Sequence, residues 1–356
     1  MKNPVLNSPL YYLALNVYQY SYIKPLYREL GGEFIIHKPR AYFQLKRSFW
    51  GFESERPTRD WIGLQPKIQS TKYFDYRKLS GIMVTTTNSA LTYDPEKLTT
   101  VFIGHGTGDK PYKDGDIKAF DYYWISGEKH LHKIRESDTP NLSEDQMVKI
   151  GNLRFDDVVN NRIDKEAVMD TIGIKDRSRP NIVYAPTWKA WGGGTLLDHS
   201  YRFIREFAKD YNLIIRPHYY DWRNVPPVEK FIEEGGYEHV YIVDPKVISG
   251  MDTMENLSIA DLLISDTSSI MYEFLIMQKP IIIIDVEQEL TPMPKSLDLR
   301  QVVDHWDGES DDILPLVREN IESNKYADEL HDLLHNCFYF NDGKSTERAI
   351  EFLKTL

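Results

Sequence analysis

One segment, from Asp261 to Asp285, restricts what this chain can fold into more than any other. The apolar run Leu262-Leu263-Ile264 breaks into Ser265-Asp266-Thr267-Ser268-Ser269, and Ile270, Phe274 and Met277 then recur at helical spacing. After Pro280 come four isoleucines, Ile281 to Ile284, ending at Asp285, a pattern suited to a parallel strand buried on both faces. The segment therefore reads as strand, polar turn, helix, strand. A helix start offers unpaired N–H groups and partial positive charge, so Thr267, Ser268 and Ser269 can cap it and also receive a phosphate. A single cap needs only one such residue, and five polar residues in a row exceed that need.

The same alternation runs along the rest of the chain and predicts βα units with parallel sheets. Strands are expected at Tyr12–Leu15, Phe34–Ile36, Gly81–Thr85, Thr100–Gly104, Tyr122–Ile125 and Met147–Ile150, with a helix over Ile23–Leu30. Residues 40–75 carry little pattern and read as an irregular lobe. A helical stretch over Asp156–Thr171 leads to Arg177-Ser178-Arg179-Pro180, which reads as a linker. A second alternation follows, with strands at Asn181–Ala185, Leu213–Arg216 and Val240–Val243 and a helix over Ser200–Asp210. The expected fold class is α/β: two doubly wound, Rossmann-like domains facing across a cleft, with ligands beyond the carboxyl ends of the strands. Residues 1–155 are expected to form the first domain and 156–340 the second, with 341–356 a C-terminal helix.

Composition narrows the partners. The 356 residues suffice for two ordinary domains. A single cysteine, Cys337, excludes an internal disulfide, and no Cys/His spacing suggests zinc. The aromatic opening from Tyr11 to Tyr22 lacks the form of a signal peptide, and no apolar run reaches the length of a membrane span, so a soluble, cytoplasmic protein is expected. The net charge of −11 argues against general nucleic-acid binding. It is unevenly placed: residues 1–150 hold 21 basic and 17 acidic side chains, and Lys24 to Lys78 hold 12 and 6. The basic and aromatic stretch from Tyr18 to Arg77 is a candidate for peripheral contact with an anionic membrane surface.

The strand exits carry the chemistry. After Val101-Phe102-Ile103 comes Gly104-His105-Gly106-Thr107-Gly108-Asp109-Lys110, whose spacing is not that of a phosphate-binding loop. Pro186-Thr187-Trp188-Lys189 follows one strand and Arg216-Pro217-His218 another. Histidine is the common proton acceptor near neutral pH, and two of them at strand exits in opposite halves point to chemistry rather than packing. Asp266 has two readings, as a turn-orienting group or as a contact to a donor. Glu273, one turn into the helix, is either a ribose acceptor or part of a solvated face.

Together and in order, Gly104-His105-Gly106-Thr107, Tyr184-Ala185-Pro186-Thr187-Trp188, Arg216-Pro217-His218, Ser265 to Ser269 with Lys279-Pro280, and the ending Asp342-Gly343-Lys344-Ser345 with Arg348 resemble the CDP-glycerol glycerophosphotransferase family of teichoic acid and capsule synthesis. The likeness is firm from about residue 100 to 350. Gly104 stands where that family usually has Trp, and Gly108-Asp109 replaces a Pro-Leu type continuation. The resemblance implies a GT-B fold, in which the C-terminal helix over 341–356 would cross back to the first domain, and transfer of a polyol phosphate, glycerol phosphate foremost, from a CDP-glycerol or CDP-ribitol donor to a lipid-linked, oligosaccharide or polyol-phosphate acceptor, with CMP released. It implies His105 as general base and His218 as the second catalytic histidine, steadying the donor phosphates. The donor would meet Thr187, Arg216, Asp266, Thr267, Ser268, Ser269 and Glu273, and the acceptor would meet Gly106 and Thr107. From the residues themselves no cofactor is expected and no metal, since no carboxylate cluster accompanies the phosphate residues and the Asp114-Gly115-Asp116 pair reads as a solvated turn. The alternatives are a GT-B glycosyltransferase or sugar-nucleotide 2-epimerase, and a non-catalytic nucleotide- or polymer-binding module.

Overall fold

The computed structural model describes residues 3, 5–13, 19–35, 76–87, 92–104, 106, 108–110, 120–137, 142–188, 194–243, 252–310 and 313–356. The chain divides into two compact units: residues 1–106, 111–160 and 337–356, and residues 107–110 with 161–336.

In the first unit, β1 (Leu10–Leu13), β2 (Glu33–Ile35), β3 (Gly81–Thr85), β4 (Leu98–Phe102), β5 (Tyr122–Ile125) and β6 (Met147–Lys149) form one sheet in the order β2-β1-β3-β4-β5-β6. Every pairing is parallel. Helix α1 (Tyr20–Leu30) lays Ile23, Leu26 and Tyr27 on Tyr12, Phe34 and Val84 of the sheet. Among the described residues this part of the chain also holds α2 (Glu128–Arg135) and α3 (Phe155–Val159).

The second unit begins with α4 (Lys165–Ile172) and alternates β7 (Asn181–Ala185), α5 (Leu196–Phe207), β8 (Asn212–Ile215), α6 (Val225–Gly235), β9 (Val240–Ile242), α7 (Thr253–Ser258), β10 (Leu262–Ser265), α8 (Ile270–Phe274), β11 (Ile281–Ile284), β12 (Asp304–Trp306), α9 (Ile313–Glu322) and α10 (Ala327–Cys337). Its sheet, β12-β11-β10-β7-β8-β9, is also parallel throughout. The apolar runs are continuous because both faces are covered. Ile182, Tyr184, Leu213, Ile215, Leu262, Ile264, Ile282 and Ile284 share a core with Phe203 and Phe207 of α5, Val228 of α6 and Val317 of α9. The alternate residues Val183, Ile214, Leu263 and Ile283 are fully buried too. Strand order reverses at β7, so the exits of β7, β8 and β10 border the switch point where α/β sheets place ligands.

The chain ends with α11 (Ser345–Leu353), which belongs to the first unit and packs on α1. The carboxylate of Asp156 caps it, accepting from the Ser345 and Thr346 N–H groups at 3.0 and 2.7 Å. Within the closing motif Arg348 pairs with Asp342 and lies over the Phe340 ring.

Two sequence expectations need correction. Arg177–Pro180 is not a linker: it lies inside the second unit, where Arg177 pairs with Asp170 and Arg179 with Asp176. The helical stretch over 156–171 is two helices, since Asn161 takes a φ of 52° and Asp164 caps a fresh start by accepting from Ala167 N–H at 3.0 Å. The irregular lobe expected at 40–75, and most of the basic stretch from Tyr18 to Arg77, lie outside the described residues. Among the described residues, no helix is long and apolar enough to cross a membrane.

Candidate functional site

The hydroxyl-rich turn starts in register with its neighbour. Ser265 pairs with Ala185 across the sheet, and its hydroxyl donates to the Ala185 carbonyl at 2.6 Å. Asp266 follows with no exposed surface. Its carboxylate accepts from Thr187 N–H at 2.9 and 3.0 Å, Gly194 N–H at 3.3 Å, the Thr195 hydroxyl at 3.2 Å and the N–H of Thr267. One buried carboxylate thus ties the exits of β7 and β10 to the start of α5. A carboxylate buried this deeply needs its lone pairs occupied, and these donors occupy them.

Thr267, 2% exposed, lies 3.4 Å from the Thr187 hydroxyl, oxygen to oxygen. Ser268 and Ser269 are half-exposed, and neither is consumed by the helix: Ser269 makes no side-chain cap, and Ser268 accepts only a long bond from Ile270 N–H. Glu273 is fully buried, which removes the solvated-face reading.

The exit of β8 supplies a cation and an imidazole. Arg216 donates its backbone N–H to the Tyr184 carbonyl at 2.8 Å and its Nη2 to the Thr253 hydroxyl at 2.9 Å. His218 Nδ1 accepts from Tyr220 N–H at 3.2 Å, and the ring stacks on Trp188 with centroids 6.0 Å apart. Burial, with Arg216 and Lys110 close by, lowers the His218 pKa to about 3. The imidazole is therefore neutral, with Nδ1 as acceptor and the proton on Nε2. It can donate one hydrogen bond, but it adds no charge to an anion.

Thr187, Arg216, His218, Asp266, Thr267, Ser268 and Ser269 thus come together at three adjacent strand exits of the second unit, with Glu273 buried in the helix behind the turn. His105 and Thr107 lie outside the described residues. Gly106 belongs to the first unit and has a φ of 139°, open to glycine and strained for any other residue. The Asp114-Gly115-Asp116 pair also lies outside the described residues.

The sequence reading missed what sits on the turn. Residues 107–110 cluster with the second unit although the chain on either side belongs to the first. A Cβ on Gly108 would stand 3.0 Å from Ser269 Cα. Asp109 is buried, its carboxylate accepting from the Tyr272 hydroxyl at 3.2 Å and its carbonyl from Thr291 N–H at 2.6 Å. Burial lowers the pKa of the next residue, Lys110, which lies near Asp266. The glycine spacing hinted at a close approach, but nothing local indicated its target.

Two parallel, doubly wound sheets, with hydroxyls, a guanidinium and a neutral imidazole at the switch point of the second, define an α/β protein of the GT-B class. The fold comparisons agree. Wall teichoic acid polymerase TagF, in a variant soaked with CDPG, matches with a TM-score of 0.65 at 18% identity, over 98% of this chain and 88% of that one. UDP-GlcNAc 2-epimerase from Neisseria meningitidis, bound to UDP-GlcNAc, gives 0.61 at 13% identity, over 98% and 100%. The chain belongs to the CDP-Glycerol:Poly(glycerophosphate) glycerophosphotransferase family, whose model matches residues 32–354. It is 26% identical over 181 residues to the teichoic acid glycerol-phosphate primase of Bacillus subtilis (strain 168), a match covering 50% of this chain and 43% of that protein. It is likewise 26% identical over 193 residues to the teichoic acid glycerol-phosphate transferase of Staphylococcus aureus (strain NCTC 8325 / PS 47), covering 49% and 44%. These matches span less than half the length of the curated relatives.

Proposed function

We propose that this chain transfers glycerol phosphate from CDP-glycerol to a hydroxyl of a lipid-linked or polyol-phosphate acceptor and releases CMP. The observation that carries this reading is the Asp266-braced turn: it presents Ser268 and Ser269 at the exit of β10, on the same end of the sheet as Arg216 and a neutral, Nε2-protonated His218 at the exit of β8, in a chain of the glycerophosphotransferase family. Hydroxyls, one fixed cation and one neutral donor suit a diphosphate, whose oxygens accept hydrogen bonds and carry charge.

In the reaction the acceptor oxygen attacks the phosphorus that bears glycerol, and the bond from that phosphorus to the bridging oxygen breaks. The bridging oxygen keeps the electron pair and leaves as part of CMP. The acceptor proton passes to His105, the base that the family likeness assigns. CMP is a good leaving group, so the work lies in deprotonating the acceptor and holding the diphosphate in line. His218 donates through Nε2 to a diphosphate oxygen, and Arg216 offsets its charge. Asp266 and Glu273 are too deeply buried to meet a donor unless the turn opens, so Asp266 acts by holding the Thr187 and Thr267 backbone in place.

Donor choice tests the reading. Calorimetry should give binding of CDP and CDP-glycerol at least tenfold tighter than UDP. Preference for UDP would instead support a nucleotide-sugar enzyme on the same fold.

A further inference from the structure

We propose that Lys110 is a donor-binding residue, a cation that the Gly108–Asp109 clamp holds over the Ser268–Ser269 turn to bind the diphosphate. The proposal rests on the cytidine-diphosphate reading of this site and adds to it a residue that lies far from the turn in sequence.

Three contacts fix where the segment sits. Gly108 approaches Ser269 so closely that a Cβ would stand 3.0 to 3.1 Å from its Cα, Cβ and N. The Asp109 carboxylate accepts from the Tyr272 hydroxyl, whose oxygen also accepts from Leu299 N–H at 3.1 Å. The Asp109 carbonyl accepts from Thr291 N–H. Lys110 follows directly, with Asp266 near enough to favour its charge and with its own charge near enough to His218 to oppose protonation there.

The Lys110 ammonium is partly buried and makes no hydrogen bond or ion pair with a described residue. Asp266 does not serve as its partner, because the backbone of Thr187, Gly194 and Thr267 and the Thr195 hydroxyl occupy that carboxylate. A desolvated cation without a partner costs stability in the free protein and recovers that cost when an anion arrives. Lys110 thus shares its surroundings with the neutral His218, with Arg216 also in electrostatic reach of that ring, while Gly108, two residues before it, lies on Ser269 of the turn, a set that offers donors and positive charge. A diphosphate satisfies it, and a neutral polyol or a nucleoside does not.

Calorimetric titration of wild type, Lys110→Met and Lys110→Arg with CDP, cytidine and inorganic pyrophosphate tests this. Lys110→Met should weaken CDP and pyrophosphate by about tenfold or more, the loss of one charge-assisted bond. Cytidine binding should stay within twofold, and Lys110→Arg should keep most of the affinity. The ligand-free melting temperature of Lys110→Met should equal or exceed wild type, which excludes misfolding as the cause. If wild type binds CDP and Lys110→Met binds it within twofold, the proposal is overturned while the donor reading stands. If wild type binds pyrophosphate through Lys110 but shows no preference for CDP over UDP, the Lys110 assignment stands and the cytidine reading falls. If wild type binds neither CDP nor pyrophosphate, both fall.

Discussion

The Asp266 carboxylate receives the Thr187 backbone N–H on both its oxygens, at 2.9 and 3.0 Å, and so joins the exits of β10 and β7 where strand order reverses. Replacing it with alanine leaves the Thr187 and Gly194 N–H groups and the Thr195 hydroxyl without their acceptor. Asp266→Ala should destabilise the second unit by about 3 kcal/mol, measured by urea unfolding. Asp266→Asn keeps one acceptor oxygen and should lose less than half of that. Equal stability of Asp266→Ala and wild type would remove the bracing role.

Gly108 tests the fit of the clamp on the turn. Its Cβ position lies against Ser269 backbone, which cannot yield as a flexible side chain does. Gly108→Ala should therefore lower CDP affinity about tenfold through displacement of the loop, with only a small fall in melting temperature. Calorimetric affinity unchanged within twofold would show that the loop tolerates the methyl group and does not shape the site.

His218 makes a pH prediction with a definite sign. Its folded pKa of about 3 lies below the ordinary value of 6.5, so protonation favours the unfolded chain. The native state loses stability as pH falls below about 6.5, and the loss continues until pH approaches 3. His130, lowered by burial to about 4, adds to the same trend. His218→Asn should show a shallower acid decline, read from melting temperature between pH 7 and 4. Because His218 stays neutral over that range, the acid limb of the rate profile should persist in this variant.

Asp156 makes the corresponding prediction for the first unit. It is 2% exposed and caps α11 through Ser345 and Thr346. Asp156→Ala should cost about 1 to 2 kcal/mol, and limited proteolysis should then release the C-terminal helix first. An intact C-terminus under conditions that cleave other sites would contradict the capping role.

The sequence revealed the parts whose signal is local. Ile281–Ile284 is a buried strand as read, and the turn at Ser265–Ser269 stood out because five polar residues interrupt apolar runs. Strand β12, Asp304–Trp306, escaped notice because it is short, polar and at a sheet edge. Helix α6 was hidden by Pro226 and Pro227, which suggest a loop, although proline suits the first helical positions. The neutral state of His218 and the placement of Lys110 depend on neighbours distant in sequence: Trp188 and Lys110 around the imidazole, Ser269 and Tyr272 around the clamp. No pattern in one segment carries such information.

CMP release from CDP-glycerol, with a lipid-linked or polyol-phosphate acceptor present, tests the proposed transfer most directly. Wild type should release CMP in step with acceptor gaining glycerol phosphate by mass. His105→Ala should lower the rate by roughly 10²- to 10⁴-fold while CDP affinity stays near wild type. Product formation in His105→Ala within about tenfold of wild type, or CMP release without acceptor modification, would contradict the account.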